Sequence, residues 1–583
     1  MAGLFLVRDS DPDFAAQALI EARAQFAANG FADLTEQVFA GWRLLRAPYI
    51  LGGPETLHAV GDDFAAVAGT LTFDGLMGQA ALAKLIGSIE LPSPDWSRLG
   101  GHFTLVVRRS GRTFVLTDFF GAFQLFHDAQ ANLLSTSLLA AVHALPRVSF
   151  DPQGVYEFAF NVVPIGNDTV FTELKTLDPR KVVELTADGA IFHDVDKSMP
   201  EAVSHEPEAE RIEKHRLLLS RNVAAHVAQF GNRVFCPLSG GLDSRLLLAA
   251  LRAEGCVPNI YVYGSPRSSD VRIARAIGEA QGFAVEWHDK EAMRDISPDE
   301  FPEFVARNFA EYDGLPNYGE LFENGSNGDA RNARHESGAM SASGGCGEIF
   351  RNFFFLPDRR FSAAAVARTF FARYSKNDVT SLFDERSFLR AVEEKIAASL
   401  GRPGDRSRLP RALIEQAYPR VRCRSLFGRE ISLESRFGAY LMPFLDHRLV
   451  AEAMRLPLSL KNSGLFEARL LSAIDPALAR QPSAYGHDFA GPPDWRHRFS
   501  EWSTRVRPIA LRQRSYALRR RLGPVADEHG GLLTSEYMGR VVDLDYPAMR
   551  RFFRTDRIGD SGMMRRIANL EYFAARLGSR LAA

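Results

Sequence analysis

Cysteine is scarce: Cys236, Cys256, Cys346 and Cys423 are the only four in 583 residues, and no two of them share a short spacing. A disulfide framework is therefore excluded, and the fourteen histidines show no zinc-ligand pattern, which removes a structural zinc site as well. No apolar run approaches the roughly 20 residues that cross a bilayer. The opening Gly3-Leu4-Phe5-Leu6-Val7-Arg8-Asp9 has no basic leader and meets charge too early for a secretory signal, so it reads as a first strand. The expectation is a cytoplasmic protein without membrane insertion. A formal net charge of -1 offers no electrostatic case for a nucleic-acid partner, and the cluster Arg519-Arg520-Arg521 reads as a solvated helix face.

What is present is a long chain of ordinary globular composition, 46% hydrophobic and 24% charged. Its length exceeds what one core usually supports, so two domains are expected. Up to about residue 195, short β-rich runs dominate: Phe64 to Leu71, Phe103 to Arg108, Thr113 to Leu116, Leu133 to Ser137 and Lys181 to Leu185. The polar, acidic, proline-bearing stretch Met199 to Glu210 reads as a linker, which places the boundary between 1–205 and 206–583. Beyond it strands and helices alternate: Arg233 to Leu238 as strand, Ser244 to Ala253 as helix, Asn259 to Tyr263 as strand, Asp270 to Gln281 as helix and Ala284 to His288 as strand. Such alternation implies a parallel α/β sheet that binds ligands beyond the carboxyl ends of its strands. Val366 to Tyr374, Phe388 to Ser399 and Met563 to Leu577 read as added helices.

At one such strand end lies Ser239-Gly240-Gly241-Leu242-Asp243-Ser244-Arg245. Adjacent glycines let backbone amides turn inward, and the following helix presents its positive end, so a polyphosphate can be cradled there. Ser239 and Ser244 add hydroxyl donors, and Asp243 can hold the Mg²⁺ that accompanies ATP. The loop is neither a Walker A motif nor a Rossmann glycine motif.

Ser-Gly-Gly-x-Asp-Ser after a strand resembles the pyrophosphatase loop of ATP-dependent ligases, and its surroundings resemble the asparagine synthetase family. The resemblance implies a two-domain α/β protein. Its amino-terminal part would be an αββα domain like the Ntn hydrolases, and its carboxy-terminal part a parallel-sheet synthetase domain. The implied activity is carbon-nitrogen ligation through an acyl-adenylate, with ATP and Mg²⁺. Leu238 to Ser244 would hold the phosphates, and Val262, Tyr263 and Gly264 would hold adenine and ribose. Ser343-Gly344-Gly345-Cys346-Gly347-Glu348-Ile349-Phe350 resembles the second glycine-rich loop, so Gly344 and Gly345 would line the adenylate and Glu348 would be the second metal ligand beside Asp243. Pro443-Phe444-Leu445-Asp446, Leu456-Pro457 and Lys461 resemble the carboxy-terminal segment of these synthetases.

Two departures matter. The family usually carries an Asp where Gly347 stands, and it has a catalytic lysine where this chain reads Pro482-Ser483-Ala484-Tyr485-Gly486-His487-Asp488-Phe489. Tyr485 or His487 could occupy that pocket, or the loop could simply pack its aromatics. Glu311 to Tyr318, rich in aromatics and acids, reads as a substrate wall or a surface loop.

The amino-terminal half resembles a glutamine-hydrolysing domain at Gly69-Thr70-Leu71, Asp118-Phe119-Phe120-Gly121 and Ser135-Thr136-Ser137. That hydrolase needs a cysteine at position 2, where this chain has Ala2, and no cysteine precedes Cys236. Lasso-peptide cyclases and β-lactam synthetases share the lost cysteine, and the first of these implies macrolactam formation on a precursor peptide, with a leader peptidase as further partner. A small-molecule cyclase, an ammonia-using asparagine synthetase-like enzyme and a non-enzymatic scaffold stand as alternatives. The expected outcome is no glutamate from glutamine with or without ATP, checked on enzyme freed of contaminating glutaminase.

Overall fold

A computed structural model describes residues 3–289, 296–317, 321–509, 511–512 and 532–582. Ala2, Tyr318 and the Arg519-Arg520-Arg521 cluster lie outside the described residues. The chain is a mixed α/β protein, and its described residues form two six-stranded antiparallel sheets and one five-stranded parallel sheet.

Both antiparallel sheets come from residues 3–194. In the first, the buried strand Gly3–Arg8 pairs with Trp42–Ala47 on one side and Leu133–Ser135 on the other. In the second, Asp63–Phe73 pairs with Leu99–Arg109 over ten residues. Alternation along Asp63–Phe73 sorts its side chains. Phe64, Ala66 and Ala68 enter the core shared with the first sheet, while Ala65, Val67 and Leu71 pack with Leu82 and Leu85 of helix Gly78–Ser88. Helix Pro12–Ala28 covers the far face of the first sheet with Ala15, Ala18, Ala22 and Phe26. The layering is helix, sheet, sheet, helix.

The parallel sheet runs Glu286–Asp289, Asn259–Gly264, Val234–Pro237, Met340–Ala342, Tyr440–Leu441. Its strand and helix positions follow the sequence pattern closely, because the inner strands are short apolar runs, while the edge strand Glu286–Asp289 is polar and only partly covered. Differences occur at ends. Ser137 leaves its strand to cap helix Leu138–Ala144, and the helix expected from Val366 is a turn, Ala363–Val366, running into a wider π-helical turn, Ala367–Phe371. Among the described residues no helix is long and apolar enough to cross a membrane.

The acidic stretch 199–210 is tied down. Pro200 accepts from Gln416 Nε2 at 2.8 Å, Ser204 accepts from Arg211 Nη2 at 2.6 Å, and helix Glu208–Phe230 already begins inside it. One continuous apolar core passes between the antiparallel and parallel sheets. Across that junction Tyr440 N donates to Thr70 Oγ1 at 2.8 Å, and Ala582 N donates back to Val148 O at 2.8 Å.

Residues 311–317 are neither a substrate wall nor a surface loop. Tyr312, Asp313, Leu315 and Asn317 are buried at the junction. The Asp313 carboxylate accepts from Ser137 Oγ at 2.5 Å, Leu138 N at 2.7 Å and Leu139 N at 3.0 Å, thereby capping a helix of the first half from a segment of the second. Arg429 lies 3.4 Å from the same carboxylate. Asp313→Ala should therefore cost about 3–5 kcal/mol, the scale of a broken buried ion pair, and Ser137→Ala only about 1 kcal/mol, that of one lost cap. Urea denaturation of both variants checks this; equal small losses would mean that the cap does not hold the junction.

Candidate active site

Val234–Pro237 is the middle strand of the parallel sheet, so the loop that follows it opens at the sheet's carboxyl edge. Its hydroxyls brace it internally. Ser239 N donates to Ser244 Oγ at 3.0 Å, the two hydroxyls are 3.0 Å apart, and Gly241 N donates to Ser239 Oγ at 3.2 Å. The glycines are needed for close approach. A Cβ on Gly240 would lie 2.8 Å from the Ala484 Cβ, and one on Gly344 would lie 2.9 Å from the Asp243 carbonyl carbon and the Ser244 nitrogen.

A cleft of about 400 Å³ results. Leu238, Ser239, Gly241, Asp243, Ser244, Val262, Tyr263, Gly344, Gly345 and Glu348 all line it, so the structure brings together most of the residues expected from the sequence. Three of the expected nucleotide-binding residues lie elsewhere. The Gly240 amide already donates to Asp270 Oδ1 at 2.8 Å, and its carbonyl accepts from Ala484 N at 3.0 Å. Gly264 turns its carbonyl to Trp287 Nε1 at 3.0 Å, and Leu242 faces a second cavity.

Beneath the Tyr263 side of the cleft lies a buried charge cluster. Glu434 accepts from Arg334 Nη2 at 2.5 Å, Arg331 Nε at 3.0 Å and His335 Nε2 at 3.1 Å. Arg334 also donates to the Tyr263 hydroxyl and lies over the Tyr261 and Tyr263 rings, at 5.4 and 5.5 Å. The ring that forms the cleft wall is thereby fixed from below.

Asp243 begins helix Asp243–Ala253 and is paired with Arg351, whose Nε also reaches Glu467 Oε2 at 2.8 Å. Burial opposes charge on Arg351, but Asp243 and Glu467 outweigh it and hold the guanidinium pKa well above its ordinary value. Glu467, fully buried and next to Asp243, is pushed well above the carboxylate range despite Arg351. Glu348 accepts from the Tyr418 hydroxyl at 2.5 Å, and Tyr418 opens the long π-helical turn Tyr418–Phe427 whose last residue also lines the cleft. Three carboxylates line the cleft; Asp270 is engaged by the Gly240 amide, which leaves Asp243 and Glu348 as the candidates to hold a metal, and among the described residues no group of three or more His, Cys, Asp or Glu is placed to do so.

Glu348 also lines a second cavity, of about 620 Å³, to which Leu242 and Arg351 belong. Tyr485 and His487 line this one, with Phe353, Phe354, Phe370, His497 and Glu501. Their loop is fastened to the phosphate loop by Arg245, which donates to Gln481 O at 2.9 Å and to Pro482 O and lies 5.0 Å from the Phe489 ring centre. The aromatics of 485–489 do pack on one another, with Tyr485 and Phe489 rings 5.8 Å apart, and they also face the cavity. Arg351, from the second loop, is a cation lining the same cavity as Tyr485 and His487.

No protein-family model and no curated protein matches the chain. Among solved structures it is similar to the glutamine phosphoribosylpyrophosphate amidotransferase from B. subtilis complexed with ADP and GMP, with TM-score 0.22 and 12% identity over 49% of this chain and 65% of that one. It is also similar to a structure described as the allosteric regulatory enzyme of purine biosynthesis, with TM-score 0.23 and 13% identity over 49% of this chain and 64% of that one. The matched region thus spans a little under two thirds of each of those chains. Scores of this size carry no argument about activity.

The Glu434 cluster generates a pH prediction. Burial alone would raise its pKa, but Arg334, His335 and Arg331 hold it far below the ordinary value. A carboxylate depressed in the folded state stabilises above its unfolded pKa, about 4.3, and loses that contribution as pH falls toward the folded value. Glu434→Gln should be destabilised at pH 7 by about 3 kcal/mol, and its gap from wild type should shrink steadily below pH ~4.3. Denaturant midpoints across that range test it; a gap independent of pH would contradict the assignment.

Proposed function

We propose that this chain is an ATP-dependent carbon-nitrogen ligase that adenylates a carboxylate and closes the acyl-adenylate with an amine. The observation that carries the reading is the adjacency of two cavities. A glycine-walled cleft at the carboxyl edge of a parallel sheet shares Glu348 with a larger aromatic-lined space, whose Arg351 pairs with Asp243 of the cleft. A nucleotide and an acyl acceptor need that adjacency; a nucleotide-binding scaffold does not.

In this reading the Gly241 and Ser244 end of the loop and the amino terminus of helix Asp243–Ala253 receive the polyphosphate, with Tyr263 beside the base and ribose. Asp243 and Glu348 fit Mg²⁺ as hard oxygen donors facing the cleft, phosphate oxygens and water completing the shell, and the ion would supply charge neutralisation as pyrophosphate departs. Arg351, held charged in the wall of the larger cavity and paired with Asp243 of the cleft, would orient the reacting carboxylate and offset the charge that develops around it. Arg245 keeps the 481–489 loop closed over the far side and limits water there.

The finer proposal is macrolactam formation on a precursor peptide, the α-amine of the peptide attacking an activated Asp or Glu side chain. The larger cavity supports it: about 620 Å³ with a wall of Phe353, Phe354 and Phe370 suits a folded peptide segment better than a free amino acid or ammonia.

Turnover should release AMP and pyrophosphate with amide formation and should need Mg²⁺; ADP and orthophosphate would reject the mechanism. Asp243→Asn should remain folded by thermal melt yet slow carboxylate-dependent exchange of labelled pyrophosphate into ATP by about a hundredfold, the scale of losing one charge-stabilising group. Ser244→Ala, which removes one hydroxyl donor, should be milder. Near-wild-type exchange in folded Asp243→Asn would remove this loop from the chemistry.

A further inference from the structure

The larger cavity has one wall formed by a helix that the sequence motifs did not single out. Helix Trp495–Val506 places His497, Glu501 and Thr504 on one face, and all three line the cavity. Resting on the ligase reading above, we propose that this cavity is the subsite for a primary amine carried on an apolar body, and that His497, backed by Glu501, is the base that takes the proton from the attacking amine.

Position comes first. His497 shares the cavity with Glu348, which also lines the nucleotide cleft, and with Arg351, which pairs with Asp243 of that cleft, so the helix borders the same space as the groups nearest an acyl-adenylate in the cleft. Its ring is 5.2 Å from that of Tyr485 and 5.6 Å from that of His487, centre to centre. No hydrogen bond from another described residue occupies its ring nitrogens, whereas His487 Nδ1 already meets Tyr485 O at 3.2 Å. Glu501 lies one turn on and is held by the Ser463 hydroxyl at 2.5 Å, which fixes a negative charge beside the ring.

The ionisation of His497 agrees with this role. Burial lowers its pKa; Glu501 and Asp494 on its own helix oppose that, while His487 from the neighbouring loop and Arg351 from the second glycine-rich loop add to it. The ring is therefore neutral near pH 7 and can accept a proton. In the step itself, the amine nitrogen bonds to the acyl carbon and the carbon-oxygen bond to the adenylate phosphate breaks. AMP leaves with the electron pair; beforehand His497 takes the proton that ties up the nitrogen lone pair as an ammonium at pH 7, Glu501 stabilising the resulting cation, and the second proton released on acylation passes to water. The Phe353, Phe354 and Phe370 wall accommodates the apolar body that carries the amine.

The test separates the two half-reactions, using synthetic linear peptides with a free α-amine and one internal Asp or Glu. His497→Gln should retain peptide-dependent exchange of pyrophosphate into ATP, while lactam formation at pH 7 falls by about a hundredfold, the lower range of general-base catalysis. The deficit should narrow as pH passes the α-amine's own pKa of about 8. Hydroxylamine, a nucleophile uncharged at pH 7, should trap the acyl group equally well in both proteins. Glu501→Gln should reproduce the defect in weaker form, and a thermal melt checks folding. Lactam formation in His497→Gln as fast as in wild type, or a defect unchanged with pH, would overturn the assignment of the base. Loss of exchange together with lactam formation in a folded variant would assign the cavity to the acyl side and overturn it too. Absence of exchange in the wild-type protein with every peptide would instead bring down the ligase reading itself.

Discussion

Arg351 is the charge on which the site depends. It bridges Asp243, the first residue of the phosphate-loop helix, to Glu467, a side chain with no exposure on a helix of the carboxy-terminal half. Two carboxylates close together in a poorly hydrated place repel, and one of them must protonate or find a cation. Arg351 supplies the cation for both, while Glu467, the more buried, still has its pKa pushed upward. A planar guanidinium suits this better than a lysine would, since two edges of one rigid group reach two partners. The arrangement also sets the orientation of the second glycine-rich loop, because Arg351 follows directly on Gly347–Phe350. Loop, helix and cavity mouth are thus held by one ion network.

Much of the parallel sheet was legible in the sequence, and the reason is locality. Arg233 to Leu238 and Asn259 to Tyr263 are apolar runs with glycine-bearing loops at their ends, and Ser239 to Ser244 forms its braces within six residues. Nothing local announces the partners that complete the site. Arg351 meets Asp243 across 108 positions, Arg245 meets Gln481 across 236, and Arg429 meets Asp313 across 116. Each is an arginine whose meaning depends on what the fold sets opposite it. The 311–317 segment misled for the same reason: its acid caps a helix that lies 175 residues earlier. His497 carried no motif at all, and only its helical register with Glu501, facing a cavity, singles it out.

The junction between the halves explains why the amino-terminal layers bear on the site without contributing a reacting group to it. Asp313 caps a helix of the first half, and Arg429, which pairs with it, belongs to helix Gly428–Glu434, whose last residue is the Glu434 that anchors Arg334 under Tyr263. Displacing the first half would therefore move the floor of the cleft. Conserving a buried, hydrogen-bonded chain of this kind costs desolvation, and its return is a fixed geometry rather than net stability.

The departure at Gly347 has a packing cause. A Cβ there would lie 2.2 Å from Asp243 Oδ1, a separation that non-bonded atoms do not adopt. An aspartate at this position, as in the family the sequence resembles, would require Asp243 to swing away and would place a third carboxylate around Arg351. Two carboxylates and one guanidinium already leave the group acidic by one charge, less whatever proton Glu467 retains. Glycine removes both the clash and the extra charge, and it leaves Glu348, one residue on and tethered by Tyr418, as the second-loop carboxylate that faces the cleft. Glycine at 347 and the Asp243–Arg351 pair are then two sides of one packing solution.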